Sequence, residues 1–130
     1  MLLQNKDIIE YYEQIIEAFN NTSQYLPAKI NFIINKNVLL LKNLTNEIYI
    51  MRDNIVKHYG EQIGDLEFEI SDSQARQKAQ LELDELLTVE QTVTILKIKI
   101  KDIENLNFTF NQMQAIMFMI EENNDEDQVE

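Results

Sequence analysis

The sequence predicts a mostly helical α+β fold, in which a long central helix forms an antiparallel hairpin with an earlier helix. A small two-stranded sheet and two shorter helices complete the prediction. Three observations lead to it. Apolar residues recur at helical spacing along residues 27–59, a shorter helical pattern precedes them across a polar loop, and two later segments alternate between apolar and charged residues. A short loop between two helices favours an antiparallel pair.

The central helix is the strongest pattern in the chain. Its residues return at alternating steps of three and four, which is the spacing of a packed helical seam. The members of this seam are Ile34, Asn37, Leu41, Leu44, Ile48, Met51, Ile55 and His58. Pro27 suits the first turn, because its missing N–H would be unpaired there. We expect Gly60 to end the helix in the left-handed conformation.

The length of this helix has a consequence for assembly. At ~1.5 Å per residue it would be roughly 50 Å long, which is long for so small a domain. We therefore expect part of it to pack on a second copy, as a homodimer, or on another protein. Asn37 is either a buried amide that fixes register or a dimer partner, or a residue at the edge of the seam, and we favour the edge. We expect His58 to cap or pack rather than to act as a ligand or base.

Two sets of apolar residues exceed what a single packed seam requires. A helix with apolar side chains outside its main stripe needs cover on more than one side, and methionine-rich helical surfaces suit adaptable binding. We therefore predict a partner or self-association surface. Its candidate residues are Leu39, Leu40, Tyr49, Ile50, Val56, Met113, Met117, Phe118 and Met119.

Shorter signals predict the remaining elements. Asn5 is a suitable cap for a first helix that runs to about Asn21. Alternation over residues 66–70 and 92–101 predicts two strands. Two capping boxes, in which a Gln follows a Ser or Thr by three residues, predict helix starts. They are Ser71 with Gln74 and Thr109 with Gln112, and we expect the helix after Thr109 to run to about Glu122.

The two predicted strands carry opposite charges on their outward faces. Glu67 and Glu69 alternate with apolar residues in the first, and Lys97, Lys99 and Lys101 do so in the second. Opposite charges across a strand pair contribute roughly 0.2–1 kcal/mol each. We therefore predict that the strands are neighbours and that the glutamates pair with the lysines. The alternative is that the three lysines form a small anion site.

Composition argues against most enzyme chemistry. The chain has no cysteine, one histidine and two glycines, both at the end of the central helix. It therefore lacks the residues for a thiolate nucleophile, a catalytic triad, a zinc finger or a phosphate-cradling loop. Glu10, Glu13 and Glu17 share one helix without the Glu-x-x-His pattern of a di-metal site, so we interpret them as a solvated face. We expect no catalysis, no cofactor and no metal.

The net charge and the hydropathy of the chain indicate where the protein acts and which partners it binds. The net charge of −12 opposes direct nucleic-acid binding, which depends on Lys and Arg. No apolar run approaches the ~20 residues of a membrane span, and the first residues lack a signal-peptide pattern, so we expect a cytoplasmic protein. We predict one compact domain over residues 1–122 and an acidic, disordered tail over residues 123–130.

Three stretches are similar to a known family. They are residues 26–32 (Leu-Pro-Ala-Lys-Ile-Asn-Phe), residues 57–60 (Lys-His-Tyr-Gly), and a closing stretch made of residues 86–87, 93–104 and 110–120. Together they resemble a family of small proteins of unknown function from tailed phages and prophages of low-GC Gram-positive bacteria, over roughly residues 25–121. The resemblance implies a phage source and the same mixed order of helices and strands. The family has no established site, so none is carried over.

Two functions from different classes follow. The first is a non-enzymatic phage protein that docks in the host cytoplasm on a host defence or regulatory protein and inhibits it. An acidic surface steers encounters with basic partners, such as nucleic-acid-binding enzymes. The alternative is an accessory virion or assembly protein of the tail region. A nucleic-acid mimic ranks below both, because the densest acids lie in the predicted tail rather than in a rigid row.

Overall fold

The computed structural model describes residues 1–20 and 24–121, and it has the mostly helical α+β architecture that the sequence predicts. The predicted loop residues 21–23 and the predicted tail lie outside the described residues. The elements in chain order are β1 (Leu2–Gln4), α1 (Asn5–Phe19), α2 (Ala28–Tyr59), β2 (Glu61–Gln62), β3 (Phe68–Glu69), α3 (Ser73–Thr88), β4 (Glu90–Thr92), β5 (Ile98–Lys99), α4 (Phe110–Ile116) and β6 (Ile120–Glu121). Two 3₁₀ turns, Ile100–Asp102 and Met117–Met119, follow β5 and α4.

The predicted helical hairpin is present. α1 and α2 lie antiparallel, with Phe19 near Ile34 and Glu13 near Tyr49. α3 packs on both helices and α4 packs on α1. One hydrophobic core collects their inward faces. The largest fully buried apolar side chains in it are Ile8, Ile15, Ile30, Leu41, Ile98, Ile116 and Met119.

The seam of α2 is covered by this chain along its first two thirds. Ile34, Leu41 and Ile48 are buried, and Leu44 is half-buried. Beyond Ile48 the rest of the chain covers less of the seam, and Met51 is exposed. The part of the seam before Ile48 is therefore core and offers nothing to a second copy.

Gly60 ends α2 for a different reason from the one predicted. Its φ of −99° and ψ of 169° are extended, so the expected left-handed conformation is wrong. A Cβ at this position would lie 2.6 Å from the Val56 carbonyl oxygen and 3.2 Å from that of Glu69. The turn into β2 and β3 brings two backbones together here, and only a residue without a side chain fits between them.

One of the two predicted capping boxes is confirmed. The Thr109 hydroxyl accepts from the Gln112 N–H at 3.1 Å, and the Gln112 side chain accepts from the Thr109 N–H at 2.9 Å. The box at Ser71 is wrong by one residue. Asp72 is the cap of α3, and its carboxylate accepts from the Ala75 N–H at 2.9 Å. A carboxylate also suits the positive end of the helix dipole.

The pairing of the strands differs most from the prediction. Within the described residues, three two-stranded sheets take the place of the one predicted: β1 with β4 antiparallel, β2 with β3 antiparallel, and β5 with β6 parallel. The predicted pairing of residues 66–70 with 92–101 is therefore wrong. β3 closes a local hairpin on β2, which costs less loop entropy than a distant partner. The 92–101 segment is divided, since its start pairs with β1 and its end with β6.

The chain after α4 also differs from the single helix predicted to about Glu122. The helix ends at Ile116, turns once as a 3₁₀ helix, and becomes β6. Pairing of Ile120 with Ile98 satisfies this backbone as a strand instead. This change of conformation rotates Met119 toward the core, where its side chain is 0% exposed.

Candidate functional site

Asn37 joins the central helix to the segment between β4 and β5. Its side-chain nitrogen donates to the Leu96 carbonyl oxygen at 2.9 Å, and its side-chain oxygen accepts from the Leu96 N–H at 2.9 Å. The same nitrogen lies 3.3 Å from the Met119 sulfur. Asn37 is 1% exposed, so the favoured interpretation at the seam edge is wrong. It is the buried amide of the other interpretation, with its own chain as the partner.

This contact creates a groove beside α2. The extended segment around Leu96 lies along the helix, and its opposite wall is a row of α2 side chains that contains Leu39 and Leu40. The residues that line the groove are Lys36, Asn37, Leu39, Leu40, Asn43, Thr94 and Leu96. Two of the predicted surface residues therefore stand at an open, partly apolar cleft held in shape by a buried amide.

The predicted surface residues do not come together in one patch. Leu39 and Leu40 lie at the groove beside Leu96. Tyr49, Ile50 and Val56 lie farther along α2, and Val56 faces the β2–β3 hairpin. The third group is in and after α4, and consists of Met113, Met117, Phe118 and Met119.

The third group is mostly packed within the chain. Met119 is in the core, so its assignment to a surface is wrong. The Phe118 ring stacks on Tyr11 with centroids 4.2 Å apart and planes 8° from parallel. Met113 is half-buried against the core. Met117 remains exposed, at the edge of an open groove between α1 and α4.

Three large apolar side chains remain exposed on the outward side of α2. Phe32, Leu39 and Ile50 are separated by seven and eleven residues, and at 100° per residue these spacings bring all three to the same side of the helix. They are 58%, 53% and 61% exposed. The line spans about 27 Å at 1.5 Å per residue. We call these three residues the outer stripe. Sequence patterning missed Phe32, although its spacing to Leu39 was a usable signal.

The exposed charges of α2 are net positive, in contrast to those of the chain as a whole. α2 exposes five cations and two carboxylates, a net charge of +3. These residues are Lys29, Lys36, Lys42, Arg52 and Lys57, against Glu47 and Asp53. Lys29 is engaged by Asp102 at 3.0 Å. Lys36 lies over the Phe32 ring, with its Nζ 5.9 Å from the ring centroid.

Two tyrosines fix the far half of α2 to its neighbours. The Tyr49 hydroxyl donates to the Glu13 carboxylate on α1 at 3.0 Å. Burial raises the pKa of Tyr49, and the hydrogen bond to Glu13 raises it further. The pKa of Tyr59 is raised chiefly by its hydrogen bond with Glu82 on α3. Both phenols therefore act as protonated donors between helices.

Residues 1–20 and 24–121 contain no group of three His, Asp or Glu side chains placed to hold a metal ion. His58 packs edge-on against Tyr59, with ring centroids 4.7 Å apart. None of the described helices combines the length and the apolar character needed to cross a bilayer.

No protein-family model, no curated protein and no solved structure matches this chain.

Proposed function

We propose that this chain is a non-enzymatic phage protein that docks through the outer stripe on a host defence or regulatory protein and inhibits it. The observation that carries the docking is the exposure of Phe32, Leu39 and Ile50 along one side of a rigid helix. A line of large apolar side chains on a helix is a recurring recognition surface for grooves in partner proteins. The phage source rests on the resemblance of residues 25–121 to the family of small proteins from tailed phages and prophages.

The stripe alone is too small to hold a partner. Complete burial contributes about 1.5–3 kcal/mol for each such side chain, and because these three are just over half exposed, covering them stabilises a complex by about 2.5–5 kcal/mol. Association costs an estimated 4–15 kcal/mol in lost freedom. The partner must therefore also cover neighbouring surface, and the groove at Leu40 and Leu96 adjoins the stripe at Leu39. A stable interface buries about 800 Å² on each partner, which requires such an extension.

Charge indicates what the partner surface looks like. The whole chain is acidic and favours approach to basic proteins at long range. The exposed charges of α2 itself are net positive, however, and charges farther than about 8 Å away are largely screened at physiological salt. We therefore propose an apolar groove with acidic residues at its rim, which can belong to a protein that is basic elsewhere.

The test is affinity recovery from phage-infected cells with three full-length baits. They are the wild-type chain, the stripe variant L39Q/I50Q, and the control L81Q, which changes an exposed leucine of α3 outside the stripe. The proposal expects one host protein, in stoichiometric amount, with the wild-type and L81Q baits and its loss with L39Q/I50Q. Equal recovery by all three baits would contradict docking through the stripe.

The same experiment distinguishes docking on a host protein from the alternative, a virion or assembly role. Recovery of phage structural proteins only, together with a fixed copy number in purified particles by mass spectrometry, would favour the virion or assembly role. A homodimer predicted from the length of α2 would place a second copy on the stripe. Sedimentation of wild type and L39Q/I50Q at tens of micromolar tests this, because a dimer through the stripe dissociates in the variant.

A further inference from the structure

We infer that the cleft between the end of α2 and the β2–β3 hairpin docks a basic polypeptide segment that carries a large apolar side chain. The residues that line this cleft are Asp53, Val56, Ile63, Leu66, Glu67 and Phe68, and we call it the hairpin cleft. None of them belongs to the outer stripe, and the cleft favours a basic partner, whereas the partner of the stripe has an acidic rim. The inference therefore does not depend on the proposed function.

The hairpin is held against α2, so the cleft exists before any partner binds. β2 follows α2 after a single residue, Gly60, and pairs with β3. The Gly60 N–H donates to the Val56 carbonyl oxygen at 2.8 Å, and the close approach at Gly60 leaves no room for a side chain. The Lys57 ammonium lies 5.7 Å from the centroid of the Phe68 ring, within the range of a cation–π contact. These contacts fix the orientation of the hairpin relative to the helix.

The hairpin cleft exposes more apolar surface than a small ligand could cover. Val56 and Phe68 are half-buried, whereas Ile63 is 60% exposed and Leu66 is 88% exposed. The cleft has a volume of about 410 Å³, and clefts that enclose ligands have volumes of about 300–1,000 Å³. A ligand confined to the cleft would leave the outer parts of Ile63 and Leu66 in water. A polypeptide that lies across the hairpin covers both, so the exposure indicates a protein partner.

The charge of the hairpin cleft selects a basic partner. Asp53 and Glu67 line the cleft, and both are exposed. Residues 52–69 carry five carboxylates and two cations, a net charge of −3. Arg52 lies 3.4 Å from Asp53 in an exposed ion pair, which contributes little and leaves that carboxylate open to competition. An apolar cleft lined by two carboxylates is complementary to an apolar side chain beside Lys or Arg.

Two further carboxylates of the hairpin strengthen this preference at a distance. Glu61 is directly opposite Glu69 in the β2–β3 pair, and like charges in such a pair repel each other. Both lie on the other face of the hairpin from Phe68, because side chains alternate along a strand. They therefore attract an approaching basic segment without lining the cleft. The same charges repel the anionic surface of a cytoplasmic membrane leaflet, so the exposed apolar side chains favour a basic protein over lipid.

The test uses the full-length chain and a synthetic peptide as the probe. The probe is a peptide of about 18 residues of leucine and lysine, with the leucines on one helical face. A matched probe has glutamate in place of every lysine. Binding is followed by the amide NMR shifts of residues 60–69, so that contact elsewhere on the chain is observed separately. The inference expects a dissociation constant below about 100 μM for the lysine probe and at least about tenfold weaker binding of the glutamate probe at these residues. Equal binding of the two probes, or no shifts with the lysine probe, would overturn it.

The apolar contribution is tested with a matched pair of single substitutions. Leu66→Gln changes the hairpin cleft, and Leu81→Gln changes an exposed leucine of α3. Because both side chains are exposed, both variants should unfold at the same temperature as wild type. The inference expects L66Q to bind the lysine probe at least about fivefold more weakly, and L81Q to bind within about twofold of wild type. Wild-type affinity in L66Q, or binding of wild type but not L66Q to phosphatidylcholine vesicles instead of the probe, would overturn it.

The charge contribution is tested against the general attraction of an acidic chain for a basic peptide. D53N/E67Q removes two carboxylates from the hairpin cleft, and E10Q/E17Q removes two exposed carboxylates from α1. The two variants have the same net charge, so only the position of the change differs. The inference expects at least about fivefold weaker binding of the lysine probe to D53N/E67Q, and a change of less than about twofold for E10Q/E17Q. An equal effect of the two changes, including no effect of either, would overturn the inference.

Discussion

The side chain of Asn37 makes both hydrogen bonds to the Leu96 backbone that a neighbouring strand would make, each at 2.9 Å. A helix thereby holds an extended segment that pairs with β1 at its beginning and with β6 at its end. The position of this segment decides the shape of the groove at Leu39. One buried amide therefore supports the groove that adjoins the outer stripe.

Replacement of Asn37 should be among the most destabilising changes in the chain. Asn37→Leu leaves the Leu96 N–H and carbonyl without partners, and we expect a loss of about 2–4 kcal/mol in the free energy of unfolding. Chemical denaturation measures it. Asn43→Leu, on the exposed side of the same helix, should change stability by less than about 0.5 kcal/mol. Equal effects at the two positions would show that the amide contact contributes nothing.

The variant Asn37→Asp should make stability depend on pH. Its carboxylate accepts from the Leu96 N–H but repels the carbonyl oxygen, and burial raises the pKa of such a group. The protonated form can donate to that oxygen, as the amide does. Relative to wild type, the variant should therefore gain stability as the pH falls from 7 to 5. A stability difference that stays constant over this range would contradict the geometry.

Thr45 offers a change that should stabilise the protein. Its side chain is buried in α2, and its hydroxyl has no hydrogen-bond partner among the described residues. Thr45→Val removes that hydroxyl while keeping the shape, and we expect a gain of about 1 kcal/mol. Thermal unfolding measures the gain as a rise of a few degrees. Thr45→Ser, which keeps the hydroxyl and loses the methyl group, should unfold at a lower temperature than wild type.

The two glycines should respond differently to alanine. Gly60→Ala places a Cβ 2.6 Å from the Val56 carbonyl oxygen, and relief requires movement of the hairpin at a cost of about 1–3 kcal/mol. Gly64→Ala meets only the Glu67 side chain, at 3.5 Å, and should be nearly neutral. The comparison uses the midpoint of denaturation of the two variants. A larger loss at Gly64 would contradict the close approach at Gly60.

The tyrosine contacts predict an alkaline loss of stability. Because the pKa of Tyr49 and that of Tyr59 are raised in the folded chain, folding favours the protonated phenols. Their contribution is complete below the ordinary tyrosine pKa of about 10 and is lost as the pH rises through the folded values. Wild type should therefore lose stability above about pH 10 more steeply than Y49F/Y59F. Parallel pH curves for the two proteins would contradict this.

Local patterns predicted the helices well, and distant contacts account for the errors. The helical hairpin and the box at Thr109 depend on residues within a few positions of one another. The partner of a strand does not, since Leu3 pairs with Gln91 and Ile98 with Ile120. Alternating charge at Lys97–Lys101 carries no information about which acidic segment lies beside it. The predicted partner, residues 66–70, instead contains β3, which pairs with β2 in the hairpin that follows Gly60.

The candidate site was predicted in part. Leu39 and Ile50 were identified because they lie outside the packed seam, and both are exposed. Met119 was misplaced because a helical period was continued past Ile116, where the chain becomes a 3₁₀ turn and then a strand. The burial of Asn37 could not follow from its sequence position, because its partner, Leu96, is 59 residues away.

The measurement that tests the central claim most directly is the affinity of the recovered host protein for the wild-type chain, L39Q/I50Q and L81Q, by calorimetry. Central apolar contacts cost more than about 1 kcal/mol each when removed, so we predict at least about thirtyfold weaker binding for L39Q/I50Q. L81Q should bind like wild type, and all three should unfold at similar temperatures because the changed residues are exposed. Binding of L39Q/I50Q within about twofold of wild type, a difference below about 0.5 kcal/mol, would contradict the assignment of the outer stripe as the docking surface.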